Sequence, residues 1–560
     1  MSELVFPRPQ STPAPGPLDD QFWDLVESHF REAIRRHPIV ATYIGIHDYD
    51  GELGDGSRDA VQQDIADGHT QLSALEALDP AGLSESVKFE RELAIHNIRR
   101  ELFNDEVHRV WERRSTAMDG VGDALFAIFA RDFAPLAERL GTITERLEAI
   151  PAYLEQHKTR ATAPQVKLWQ ELEIDAGEQM PHLFGEVKAA GLGVLDERGQ
   201  ARLDRAVERA SAATAAYTEF IKSGMSRTVE QWALGSNDLD ALVGLRSFDG
   251  LDADQILEIG WQQLERNKAA RVEDARRIDA NATEAEVVDR VKSNHPDTFD
   301  EALAAYKDAM MRARRHIIDH EIATIPAGET ISVIPTPEYL RSVIPFAAYF
   351  EPPKFDKHPA GIYIVTPSVG NDPNAMREHN YASISNTSVH EAYPGHHLQL
   401  SAAIGHPSIV RLAVDAPEFV EGWGMYSEQM MREQGFDAGP DFLLAMHTDA
   451  IWRAGRIILD IRMHRGEMTV DEATAFLIEH TGFEHANAQA EVFRYTYTPT
   501  YQLSYLLGKV LLLGLRADEQ KRLGNQFSLK HFHDTLLRNG SLPISFHRRL
   551  LAMAANGTGA

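Results

Sequence analysis

The densest group of residues able to do chemistry is Ser388-Val-His-Glu-Ala-Tyr-Pro-Gly-His-His-Leu-Gln399. A histidine followed directly by a glutamate opens a familiar metal-ligand pattern. In it, imidazoles at i and i+4 share one helical face and the glutamate between them serves as base on a water. Here the i+4 position from His390 is Pro394, so that spacing fails. His397 returns to the same face but lies about 10 Å further along an ideal helix, and His396 points off that face while the helix stays regular. Pro394-Gly395 is a sequence that interrupts regular winding, and a bulge there would bring His396 back beside His390. His396 is therefore the preferred second ligand, His397 the alternative, and Glu391 the candidate general base. The competing reading is structural, because Ser388-x-x-Glu391 is also a helix-capping box.

A third ligand is expected from a separate helix. Asp415-Ala-Pro-Glu-Phe-Val-Glu-Gly-Trp-Gly-Met-Tyr-Ser-Glu428 carries an N-cap aspartate and an early proline. Glu421 lies there among Phe419, Val420, Trp423 and Met425, where an unpartnered carboxylate is costly and a cation would satisfy it. Gly422 and Gly424 permit close approach of another helix. Glu418 and Glu428 share roughly the same face and are candidates to orient the ligands, with an exposed acidic stripe as the plainer alternative. Amide hydrolysis also needs a donor for the oxygen that gains charge. Arg494-Tyr-Thr-Tyr-Thr-Pro-Thr-Tyr-Gln-Leu-Ser-Tyr505 supplies four tyrosines and an arginine. Tyr505 and Tyr495 are the candidate donors and Arg494, or Lys509, a candidate anchor for a substrate carboxylate; ordinary core packing is the alternative for the tyrosines. Asp460 and His464, at i and i+4, would orient ligands or substrate, or form a surface ion pair. His379 and Tyr381 would line the cleft.

The elements that must position these residues are mostly helical. Residues 1–17, rich in proline, read as a flexible tail. Apolar residues at three-to-four spacing, as in Phe22-Trp-Asp-Leu-Val and Leu257-Glu-Ile-Gly-Trp, predict a helical lobe over 18–323. Residues 324–560 form the expected catalytic lobe. It begins with a proline-rich stretch, 324–372, holding β-branched clusters at 329–334 and 361–366, which predicts a small β element beside the cleft. The strand at 361–366 would hold extended peptide by main-chain pairing. The chain has 84 acidic against 56 basic residues, a formal net charge of -28, which argues against nucleic acid as a partner. Cysteine is absent, so thiolate ligands and disulfides are excluded. With no signal-peptide pattern and no apolar run long enough for a membrane span, a cytoplasmic address is expected.

The string His390-Glu-Ala-Tyr-Pro-Gly-His-His-Leu-Gln399 resembles the signature of the domain of unknown function 885 (DUF885) family. Phe419-Val-Glu-Gly-Trp423, Arg456 to His464, Glu491-Val-Phe-Arg-Tyr495, Leu503-Ser-Tyr-Leu-Leu-Gly508 and His37-Pro-Ile-Val-Ala-Thr-Tyr-Ile-Gly45 match it too. The wider resemblance is to helical gluzincins such as thimet oligopeptidase and dipeptidyl peptidase III, in which a Gly-His pair follows His-Glu. This resemblance implies a two-lobed helical metallopeptidase fold around a deep channel, with Zn2+ held by His390, His396 and Glu421. It also implies hydrolysis of peptide bonds in short peptides, with Glu391 activating water. The family's late segment reads Pro-Gly-Gln before Leu-x-Tyr, whereas this chain has Tyr501 in place of the glutamine, which leaves substrate preference open. Alternatives are a zinc amidohydrolase acting on a non-peptide amide or modified amino acid, a non-catalytic helical binding protein, and a His/carboxylate iron oxygenase.

Overall fold

The computed structural model describes residues 5–337, 341, 344, 346–367, 375–414 and 416–555. It is mainly helical, as the periodicity predicts, with one three-stranded sheet between the helix Phe299–Asp319 and the helix Tyr381–Glu391. Several helices begin at a side chain that takes up the free N–H groups of the first turn. Thr298 with Glu301, and Thr469 with Glu472, form reciprocal capping boxes. Among the described residues no helix is long and apolar enough to cross a membrane.

The first helices form two apolar cores. One runs from Phe6 to Leu102 and closes on Ile409–Val414 and Leu542–Leu550; the other joins Leu53 to helices between Ala117 and Ile221. The core that surrounds the His390 string starts at Leu239 and ends at Leu551. The helix Ala253–Ile278 lies along Pro440–His464, so closely that a Cβ on Gly260 would come within 2.9 Å of Ile457. Helices between Ser236 and Asp319 therefore share one core with the helices that follow the sheet. The segment after Leu4 is not a trailing tail: Phe6 is buried, with ring centroids 5.1 Å from Phe30 and 5.7 Å from Phe355. Its apolar surface is better removed from water than left free.

In the sheet, β1 (Ile331–Pro335) pairs in parallel with β3 (Gly361–Val365), and β2 (Ala347–Phe350) pairs antiparallel with the other edge of β3. β3 is thus the middle strand, buried along its whole length. This corrects the expectation that residues 361–366 offer an edge to substrate, because the main-chain groups of β3 are already bonded on both sides. Parts of the proline-rich stretch, 338–340, 342–343, 345 and 368–372, lie outside the described residues.

Candidate metal centre

The helix Tyr381–Glu391 starts at Asn380, whose side chain accepts from the Ser383 amide at 2.9 Å. Ser388 therefore lies inside the helix, and Glu391 is its last residue rather than a capping partner. Beyond Glu391 the winding breaks. Ala392 leaves helical geometry, the Gly395 amide turns back to the Val389 carbonyl at 3.0 Å, and a new helix, His396–Ala403, begins at once. A Cβ on Gly395 would overlap the His390 carbonyl oxygen, so only glycine fits the fold-back. The result is that the rings of His390 and His396 stand 4.8 Å apart and nearly perpendicular.

Glu421 comes to this pair from the helix Pro417–Glu433, which has Pro417 in its first turn; the expected N-cap Asp415 lies outside the described residues. Its Oε2 is 3.6 Å from His390 Nε2 and 3.4 Å from His396 Nε2. Two atoms bound to one zinc ion at tetrahedral angles, each about 2.0–2.1 Å from it, stand about 3.3 Å apart. The ligand atoms of all three residues fall within 4.8 Å of one another, so the arrangement fits one such ion. Gly424, one turn on, lies against the His390 ring, where a Cβ would come within 2.7 Å of Cε1.

The surroundings fit a cation as well. His390 Nδ1 lies 2.7 Å from Oε1 of the buried Glu428, the carboxylate–histidine contact that fixes the tautomer of a metal ligand. Burial opposes charge on His390, but its bonds to Glu421 and Glu428 prevail and raise its pKa to about 10. Glu421 is held below the usual carboxylate range despite its burial, because both imidazoles bond to it. Once the imidazoles give up their protons to ligate a metal, two nearly buried carboxylates leave two negative charges, which a divalent ion balances. Glu391 is half-buried and makes no hydrogen bond or ion pair with any described residue.

Other sequence candidates fall elsewhere. His397 turns away from the cluster and is fully buried. Its Nε2 lies 2.8 Å from Glu329 Oε2 and its Nδ1 2.8 Å from the Tyr349 hydroxyl, which fastens its helix to the sheet. Tyr495 is also fully buried, and its hydroxyl is occupied: it donates to Glu491 at 2.8 Å and accepts from Arg456 at 3.1 Å. That removes it as an oxyanion donor. Arg494 bonds to the same Glu491 through Nη2 alone. Asp460 and His464 are wholly buried rather than a surface pair, with His464 Nε2 2.9 Å from the Tyr495 carbonyl. Burial raises the Asp460 pKa and lowers that of His464 to about 4, and the pair lies beneath the turn at 496–503. Glu418 pairs with Arg246 at 2.8 Å. His379 lies 3.2 Å from the Tyr306 hydroxyl, and Tyr381 is exposed at its helix start.

Two residues enter that the spacing did not single out as functional. Tyr501 donates to Glu421 Oε1 at 2.9 Å, leaving Oε2 for the histidines. Its ring lies 5.9 Å from that of Tyr505, which in turn sits under the Arg456 guanidinium at 4.5 Å. Glu329, just before β1, accepts from His397, Tyr393 and Arg314. The signal for Glu329 was a lone charge heading a β-branched strand. For Tyr501 it was the departure from the resembled pattern.

The chain belongs to the DUF885 family of bacterial proteins of unknown function, which matches residues 38–551. It is similar to a solved chain from Shewanella oneidensis titled "a putative lipoprotein of unknown function", with a TM-score of 0.76 and 21% identity over 95% of this chain and 99% of that one. A second solved chain, "the putative lipoprotein from Colwellia psychrerythraea", gives a TM-score of 0.75 and 18% identity over 96% and 99%. At these identities the likeness carries the fold alone. No curated protein matches the chain.

Proposed function

We propose that this chain is a zinc-dependent hydrolase that cleaves peptide bonds of short peptides, with Glu391 as general base. The observation that carries the reading is the convergence of His390, His396 and Glu421, beside a glutamate that no described residue holds. The same Gly395-His396 pair after His390-Glu391 supports kinship with the two-lobed helical gluzincins. When bound, zinc supplies a Lewis acid that polarises the scissile carbonyl and lowers the pKa of water. Glu391 takes the proton of the attacking water on a carboxylate oxygen and delivers it to the leaving amine. Glu428 keeps Nδ1 of His390 engaged, so that Nε2 faces the site. Tyr501 keeps Glu421 oriented through Oε1. Tyr505, beside Tyr501 and not tied to Glu491, is the better of the two expected tyrosines for the oxygen that gains charge. Arg494, with Nε and Nη1 unpartnered among the described residues, suits the free carboxylate of a short peptide. The cytoplasmic address expected from the sequence gains no support from the two solved relatives, both titled lipoproteins.

Elemental analysis of the purified chain beside His390→Ala, His396→Ala, Glu421→Ala and His397→Ala tests the site. About one zinc per chain is expected, lost in the first three variants and kept in His397→Ala. Absence of zinc from the wild type after zinc is supplied would overturn the reading. A panel of free and blocked peptides then tests the substrate class, and turnover of small amides without any peptide cleavage would move the assignment to an amidohydrolase.

Replacing Glu428 by Gln should weaken zinc binding by about 10–100-fold, measured by competition with a chromophoric chelator. The carboxylate is not itself a ligand, so binding should persist at high zinc. Unchanged affinity would show that His390 needs no such support.

A further inference from the structure

A cavity of about 490 Å³ opens where the end of the Glu421 helix meets the helices Ser504–Leu523 and Ala253–Ile278. None of the candidate metal ligands lines it, and its volume is in the range of small-molecule sites. Lys509 does line it. This residue is 5% exposed and makes no hydrogen bond or ion pair with any described residue. Arg266, on the facing helix, also lines the cavity without a partner among the described residues. Buried Arg432 forms part of the same wall, and its hydrogen bonds go to neutral acceptors, the Ser385 hydroxyl and the Phe436 carbonyl. The carboxylate on the wall, Glu433, is already paired with Arg516 at 2.8 Å.

A chain with 28 more acidic than basic residues has no shortage of carboxylates to pair with. Buried Lys509 and solvent-exposed Arg266 set two cations without a described ion-pair partner on one cavity, a local inversion of the chain's charge. The charges of Glu428 and Glu433 favour the Lys509 ammonium, but burial outweighs them. A buried ammonium with no hydrogen-bonded partner is costly, and an anion in the cavity would offset that cost. The two charges match a ligand carrying two negative charges. Gln263, also on the wall, adds an amide donor.

We propose that this cavity binds a small dianion, of the phosphate or dicarboxylate type, through Lys509 and Arg266. The cavity is lined by none of the three candidate metal ligands, and the proposal does not depend on the hydrolase reading. It also gives Lys509 a place other than the peptide-anchoring role considered from sequence.

Isothermal titration calorimetry on the full chain tests this, with inorganic phosphate and succinate as separate probes at constant ionic strength set by potassium chloride. Wild type and His390→Ala should bind at least one of the two saturably, the His390 variant serving to exclude anion capture at the metal centre. Arg266→Gln should weaken binding about tenfold or more, the worth of one charged hydrogen bond, and Lys509→Met should abolish it. Arg266 is on the surface of its helix, so its variant decides the matter even if Lys509→Met does not fold. The proposal fails if neither anion binds saturably to the wild type, if Arg266→Gln binds as tightly as wild type, or if His390→Ala loses binding.

Discussion

Replacing Glu391 by Gln should lower peptide turnover by about 10²–10⁴-fold while zinc content stays at its wild-type level. The contrast with the other glutamates around the centre is the reason. Glu421 is engaged by two imidazoles and Tyr501, Glu428 by His390, and Glu329 by His397, Tyr393 and Arg314. Glu391 ends its helix one residue after the first ligand, half-buried, with no described partner on either oxygen. A carboxylate so placed can accept a proton and release it again. An amide of the same shape cannot, and it disturbs neither ligand. The measurement is kcat on a cleaved peptide, with zinc determined on the same sample. Activity within a few fold of wild type would remove Glu391 as the base. Activity and zinc falling together would mean that it shapes the site instead.

The grouping of the candidate ligands was legible in the sequence through local signals. The pairing of His390 with His396 could be read because Pro394-Gly395 is a local signal, and the fold-back of Gly395 onto Val389 is a local event. Glu421 could be read because a lone carboxylate among Phe419, Trp423 and Met425 demands a partner. The fate of His397 could not, since its partner Glu329 is 68 residues away and reaches it through the sheet. Which tyrosine reaches the site was not legible for a related reason. Four of them within one short segment all look alike, and the turn decides which one meets Glu421. Thr500, at a φ of 66°, is in the left-handed region that β-branched residues avoid. Nothing in the spacing foretold that twist just before Tyr501. Helical periodicity is the same on both sides of residue 323, and only packing shows that Ala253–Ile278 lies along Pro440–His464. The strand at 361–365 is different. Its uninterrupted apolar run is the mark of a central strand, and reading it as an edge overlooked a signal that was present.

Gly508→Ala should destabilise the chain by about 3 kcal/mol, toward the upper end for forcing extra volume into a packed core, and should weaken zinc binding with it. The helix carrying Glu421 and the helix carrying Tyr505 cross at Gly422 and Gly508 with backbone against backbone. A Cβ on Gly508 would overlap the Glu418 carbonyl oxygen and lie 2.8 Å from the Gly422 Cα. Backbone cannot rotate aside as a side chain can, so the two helices must separate. Glu421 sits on one of them, one residue before Gly422, and the separation would pull it from His390 and His396. Gly514→Ala on the same helix is the control. That position is exposed with nothing within 4 Å of the added atom, and alanine there should be neutral or stabilise by up to about 1 kcal/mol. Urea midpoints and zinc content of both variants decide it. A lowered midpoint with zinc loss in Gly508→Ala alone is the expected result. If the two variants behave alike, the crossing has slack, and the position of Glu421 does not rest on close contact between these helices.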